Sequence, residues 1–182
     1  MTRDARGFTL LELMVSLSFV AVAVLAVLPN LREMMARNRV TSAARSIQTT
    51  LQTARMRAIN ERRDYVVLFE NAGWNLFQDA DRDGVKDSAE PWIQAAPAPL
   101  PAQVRFMMPP VTNGGNPSDV PQLPTSGCRC ARYQSNGTVV VTGDTSTLAI
   151  ALGDKKYYRQ LQLTVGGAVK MQQWNARLAQ WQ

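Results

Sequence analysis

Between Asp79 and Glu90 the chain reads DADRDGVKDSAE. The residue types and their spacing match a loop that encloses a calcium ion with oxygen ligands. Asp79, Asp81 and Asp83 put carboxylates at alternate positions, and Gly84 permits the sharp turn. Val85 offers a backbone carbonyl, Asp87 a further or water-mediated oxygen, and Glu90 a bidentate carboxylate. So many carboxylates in one short stretch repel one another, and a cation would tighten the loop. Asp and Gly are also the ordinary residues of a turn, and Pro91 prevents the exiting helix that a helix-loop-helix calcium site needs. Two readings follow, a calcium ion or a plain acidic turn. Turn chemistry accounts for the aspartates and Gly84 but leaves Glu90 without a reason. No other cofactor is required. Paired carboxylates can serve as general acid and base, but an exposed turn offers no apolar pocket to raise one pKa, so an enzyme is not expected.

Other chemistry is narrowed by composition. The chain has no histidine, which excludes a Ser-His-Asp triad, a Cys-His dyad and a His-ligated zinc site. Its two cysteines, Cys128 and Cys130, are too few for a zinc site. They leave three alternatives: a tight disulfide with each other, two free thiols, or a link to another chain. The formal charge is +6. Arg32, Arg37, Arg39, Arg45, Arg55, Arg57, Arg62 and Arg63, against Glu33 and Glu61, already account for that excess. A basic stretch of this kind suits nucleic acid or anionic lipid headgroups, or is the solvated face of a helix.

The elements that must carry these residues start with an apolar run. From Phe8 to Leu28 the one charge is Glu12, and the other polar side chains are Thr9, Ser16 and Ser18. The run is long enough to cross a bilayer as a helix. No small-x-small cleavage site follows it, so it reads as retained rather than as a cleaved secretory signal. Pro29 marks a helix kink. Beyond it, Val40, Ala44, Ile47, Leu51, Ala54 and Ala58 recur at steps of three and four, the stripe of an amphipathic helix. One long helix is expected from about Phe8 to about Asn60, with its transmembrane segment over 8–28.

Short runs rich in β-branched and aromatic residues follow: DYVVLFE (64–70), GWNLFQ (73–78), VRFMM (104–108), TVVVT (138–142), LAIAL (148–152), YRQLQLTV (158–165) and AVKMQQW (168–174). Gly or Asn punctuates most of them, as in SNG and VGG. The prediction is an α+β fold in which a long N-terminal helix packs its back half on a C-terminal antiparallel β-sheet domain, residues 61–182. Residues 95–125 read as a long irregular loop interrupted only by VRFMM.

The front of the chain resembles a type IV pilin or pseudopilin. The resemblance lies in a short polar leader, Met1 to Gly7, then FTLLE from Phe8 to Glu12, an apolar helix and Pro29, and it covers about the first 30 residues. The remainder is similar to the GspH/FimT group of minor pilins, through SAARSIQTTLQTARMRAINERRDYVVLF, DADRDGVKDSAE, YQSNGTVV and LQLTVGGAVKM. The resemblance implies that a prepilin peptidase cuts between Gly7 and Phe8, removing leader 1–7, and methylates the new amine of Phe8. It implies that Glu12 makes an assembly contact with the N-terminal amine of a neighbouring subunit. The implied protein is a structural subunit that joins or primes a type IV pilus or a type II secretion pseudopilus. Its implied partners are other pilin subunits, the peptidase and the inner membrane, with a single pass and a periplasmic C-terminal domain. Charge bias points the other way, because Arg32, Arg37, Arg39 and Arg45 after the span outnumber Arg3 and Arg6 before it.

Two alternatives stand beside this reading. One is a signal-anchored periplasmic domain whose leader is never processed. The other is a minor pilin that binds DNA during natural transformation. Some FimT-like proteins carry a GRxR motif for DNA, where the hairpin here reads GAVK, Gly167 to Lys170, without the two arginines. The cations left nearby are Lys155, Lys156, Arg159, Lys170 and Arg177, among Tyr157, Tyr158, Trp174 and Trp181. Such a mixture suits single-strand contacts, while aromatics on short strands also serve as core.

Overall fold

A computed structural model describes residues 9–70, 73–94, 96–107, 130–142, 147–152, 157–175 and 180–182. The chain divides into two compact units, Met1–Arg37 and Asn38–Gln182. Helix α1 is Leu10–Glu61. Thr9 starts it: its Oγ1 accepts the N–H of Glu12 at 3.2 Å, the bond of an N-cap residue.

Within the first unit the helix exposes apolar side chains all round, Leu10, Leu11, Leu13, Met14, Leu17, Phe19, Val22 and Leu25 among them. It is the one helix among the described residues long and apolar enough to cross a membrane. Its hydroxyls suit such a setting. Ser16 Oγ donates to Glu12 O and Ser18 Oγ to Met14 O, each at 2.8 Å, so neither is left unsatisfied where water is absent. Pro29 lies inside the helix without ending it; proline removes the bond to the carbonyl four residues before it and crowds that carbonyl with its ring.

In the second unit the stripe expected from the sequence is buried: Val40, Ala44, Ile47, Leu51, Ala54 and Ala58 are each at most 1% exposed. The strands are β1 (Asp64–Glu70), β2 (Gly73–Asp79), β3 (Ala98–Pro99), β4 (Val104–Met107), β5 (Cys130–Tyr133), β6 (Val139–Thr142), β7 (Thr147–Leu152), β8 (Tyr158–Leu163), β9 (Val169–Asn175) and β10 (Gln180–Trp181). They form two five-stranded sheets rather than one, in the orders β3-β2-β1-β5-β6 and β10-β9-β8-β7-β4. Every pairing is antiparallel. The helix is tied to both. Trp74 Nε1 of β2 donates to Thr50 Oγ1 at 3.0 Å, and Arg159 of β8 donates to Thr41 Oγ1 at 3.3 and 3.4 Å. Val139 N to Val165 O at 3.0 Å joins the sheets, and Phe69 meets Phe106 edge to face across them at 5.8 Å.

The two glycine turns that punctuate the sequence come together under the helix. Gly137 and Gly167 both have positive φ, 81° and 78°. A Cβ on Gly167 would lie 2.3 Å from Gly137 O, the same oxygen that accepts Arg55 Nε at 3.2 Å. Glycine alone fits there, since it tolerates that backbone and leaves room for the carbonyl.

Three elements correct the sequence expectation. Strand β5 is central in its sheet, between β1 and β6, though its four residues carry Arg132 and Cys130 and no strand pattern of their own. Strand β3 also interrupts the stretch expected to be broken only by VRFMM; as an edge strand it accommodates Pro99, whose missing donor costs no ladder bond there. Strand β10 pairs with β9 at the end of the chain.

Candidate functional site

Glu12 lies in the first turn of α1, exposed. Thr9 and Glu12 have the T-x-x-E spacing of a capping box, and the bond from Glu12 N to Thr9 Oγ1 is its first half. Thr9 was legible as a cap from that spacing alone. The Glu12 carboxylate has no partner among the described residues. The first turn is where a helix dipole favours negative charge. Gly7 and Phe8, with leader 1–7, lie outside the described residues.

The acidic stretch leaves the end of β2, folds over the face of its sheet turned from the helix, and returns. Gln78 N donates to Pro91 O at 3.3 Å and Ile93 N to Leu76 O at 2.8 Å, so the exit rejoins β2 instead of starting a second long strand. Trp92 covers Phe77 edge to face at 5.6 Å, over a cluster of Val66, Phe77 and Cys130. Lys86 Nζ lies 5.0 Å from the Trp92 ring centroid, a cation–π distance.

Asp79 is the anchor. Its Oδ1 accepts Arg82 N at 2.8 Å and its Oδ2 accepts Gly84 N at 3.1 Å, and Arg132 Nη1 stands 3.7 Å from Oδ2. Burial pushes the Asp79 carboxyl above its ordinary value, and the Glu90 charge adds to this, against the two N–H bonds and the Arg132 guanidinium. Arg132 also donates to Arg82 O. Oxygens of Asp79, Asp81 and Asp83 converge within 4.8 Å of one another.

Asp87 and Glu90 are not part of that group. Glu90, 6% exposed, spends both oxygens on the loop itself: Oε1 accepts Ala80 N at 2.6 Å and Oε2 accepts Asp87 N at 3.1 Å. The position that turn chemistry left unexplained is thus a clasp between the two ends of the loop. Calcium takes six to eight oxygens, and the carboxylates gathered here supply part of such a set. Val85 is exposed, its N–H held by Asp83 Oδ1 at 2.6 Å.

Cys130 is disulfide-bonded and no cysteine is free among the described residues. The chain's other cysteine, Cys128, lies outside them. Cys130 Sγ rests 3.9 Å from Gly84 O, beneath the acidic loop.

Of the cations considered for DNA, Lys155, Lys156 and Arg177 lie outside the described residues. Lys170 is exposed. Arg159 is turned inward, holding Thr41 and Gln173. Tyr158 and Trp174 are buried, at 6% and 8% exposure, which makes them core rather than stacking platforms.

Residues 43–168 match the model of the family described as type II transport protein GspH. No curated protein sequence matches significantly. Among solved structures, the minor pseudopilin EpsH from the type 2 secretion system of Vibrio cholerae is 15% identical, with a TM-score of 0.49 over 73% of this chain and 95% of that one. The type IV minor pilin FimU of Pseudomonas aeruginosa PAO1 is 20% identical, with a TM-score of 0.45 over 74% of this chain and 89% of that one.

Proposed function

The chain belongs to the type II transport protein GspH family, and from that premise we propose how its front segment serves a filament. The protein is a minor pseudopilin or pilin, a structural subunit. Residues 8–28 lie in the inner membrane until assembly, and the β-rich domain is on the periplasmic side. Prepilin peptidase cuts between Gly7 and Phe8 and methylates the new amine. Other subunits of the filament then receive the helix. No reaction is catalysed by this chain.

The observation that carries the reading is Glu12. It is an exposed carboxylate in an apolar helix, with no partner among the described residues. A charge inside hydrocarbon costs at least about 2.5 kcal/mol, and a paired charge costs far less than a lone one. A cation that arrives with assembly, the N-terminal amine of a neighbour, supplies that pair.

Three measurements test this. Mass spectrometry of the protein from its membrane is expected to give a chain that starts at methylated Phe8; an intact Met1 would instead identify the unprocessed, signal-anchored alternative. Glu12→Ala is expected to leave insertion and cleavage intact while filament incorporation falls, and unchanged incorporation would refute the role given to Glu12. Protease added to spheroplasts decides between the periplasmic placement and the charge bias, since a fully protected C-terminal domain contradicts the former.

A further inference from the structure

Where α1 ends, two stretches distant in sequence are brought side by side. The register of β1 on β2 pairs Asp64 with Asp79. The residues just before β1 therefore face those just after β2. Between them is a pocket of about 120 Å³, lined by Arg62, Arg63, Asp64, Asp79 and Arg82 among others. That is room for the head of one side chain.

The charges of the lining are not equivalent. Asp64 and Asp79 are buried and accept hydrogen bonds from the protein, Asp64 from Ser135 N at 3.3 Å and Asp79 from Arg82 N and Gly84 N, with Arg132 3.7 Å away. The three arginines are exposed. None of their guanidinium groups has a hydrogen bond or ion pair among the described residues. The lining thus carries three arginines against two carboxylates, and the residues whose charged groups have no partner among those described are the arginines.

The backbone adds an independent point. Arg62 and Arg82 have φ of 53° and 68°, the left-handed region that favours glycine. Arg62 directly follows the last residue of α1, where glycine is the common choice. At both positions the chain carries an arginine on a backbone that glycine would adopt with less strain. The side chain is what distinguishes the two residues there.

We propose that this pocket is a receptor for a carboxylate on an acidic peptide segment of a partner protein. Guanidinium groups match carboxylates with paired hydrogen bonds. A nucleic acid fits less well, because a single carboxylate is enough to fill a pocket of this size, whereas a run of phosphates needs a track of cations, which the exposed carboxylates of Asp81 and Asp83 beside Arg82 interrupt. The pocket lies wholly in the second unit, so the proposal stands apart from the role of the apolar helix.

The test uses the full chain in detergent micelles. A tetraglutamate peptide blocked at both ends is expected to bind, and tetraglutamine is not. Combining Arg62→Gly, Arg63→Gln and Arg82→Gly is expected to weaken tetraglutamate by about tenfold or more. The single changes Arg62→Gly and Arg82→Gly are expected to keep or raise Tm, which a purely structural role for these arginines would lower. If the triple variant loses its cooperative melt, Arg63→Gln alone carries the comparison, with an expected loss of about threefold. No binding of tetraglutamate, equal affinity in the variants, or tighter binding of a single-stranded oligonucleotide at the same salt would each overturn the proposal.

Discussion

At Glu90 two roles are open to the same carboxylate: binding a cation with Asp79, Asp81 and Asp83, or clasping the two ends of the loop. Accepting one N–H leaves each oxygen a second lone pair, but Glu90 stands outside the group that those three aspartates form. Its oxygens accept Ala80 N and Asp87 N. Glu90→Ala is therefore expected to cost about 2 kcal/mol or more in the presence of a chelator, since two N–H groups lose a charged acceptor. Melting with and without calcium checks the competing role. Equal Tm in chelator and in about 1 mM calcium is expected, and a clear rise with calcium that Asp81→Asn with Asp83→Asn removes would show that the acidic loop holds the ion. Tyr133 makes a different demand. Its ring is fully buried beside Arg55, its hydroxyl has no partner among the described residues, and burial pushes its pKa up to about 12. An acid whose folded pKa is raised adds stability while it is protonated. That contribution is present below the unfolded value near 10 and is lost as pH rises toward about 12. Tyr133→Phe removes both the unsatisfied hydroxyl and the titration. It is expected to match or exceed the parent in Tm at neutral pH and to lose less stability in that alkaline window.

At the scale of elements, the back half of α1 does its work through one stripe. Leu51 is fully buried in it, whereas Met56 on the same helix is 63% exposed. Leu51→Ala is expected to destabilise by about 2–5 kcal/mol and Met56→Ala by less than about 0.5 kcal/mol; equal effects in urea unfolding would mean the helix does not pack as described. That stripe was legible because a period of three and four is a local signal. Strands β1, β2, β8 and β9 were legible for a similar reason, long runs of strand-forming residues closed by glycine turns. Strand β5 was not, because CARY becomes a strand only through its pairing with β1 and β6. The division into two sheets was hidden too, since it depends on which strands pair at a distance. The acidic loop falls between these cases. Its string announced a turn with acidic ligands, but the use of Glu90 depends on where Ala80 and Asp87 end up. The arginine pocket was least legible of all, because Arg62 and Arg82 meet only through the register of β1 on β2.

For the whole molecule, the division of labour along the chain makes its own prediction. Every buried hydrophobic residue among those described lies at Val40 or beyond, and the second unit starts at Asn38. The apolar residues from Leu10 to Leu31 are exposed where described and contribute nothing to that core. In water such a surface drives association; in lipid or a filament it is covered. A chain beginning at Asn38 is therefore expected to be soluble without detergent and to melt cooperatively. Its Tm should lie within about 5 °C of the full chain's in micelles, because at this size that shift corresponds to only a kcal/mol or two. Circular dichroism would show this directly. A truncated chain that melts without a transition, or far below the full chain, would mean that the front helix is part of the fold and not only the segment a filament receives. Retention of the transition would place stability in the second unit and leave the first free for the assembly role proposed for it.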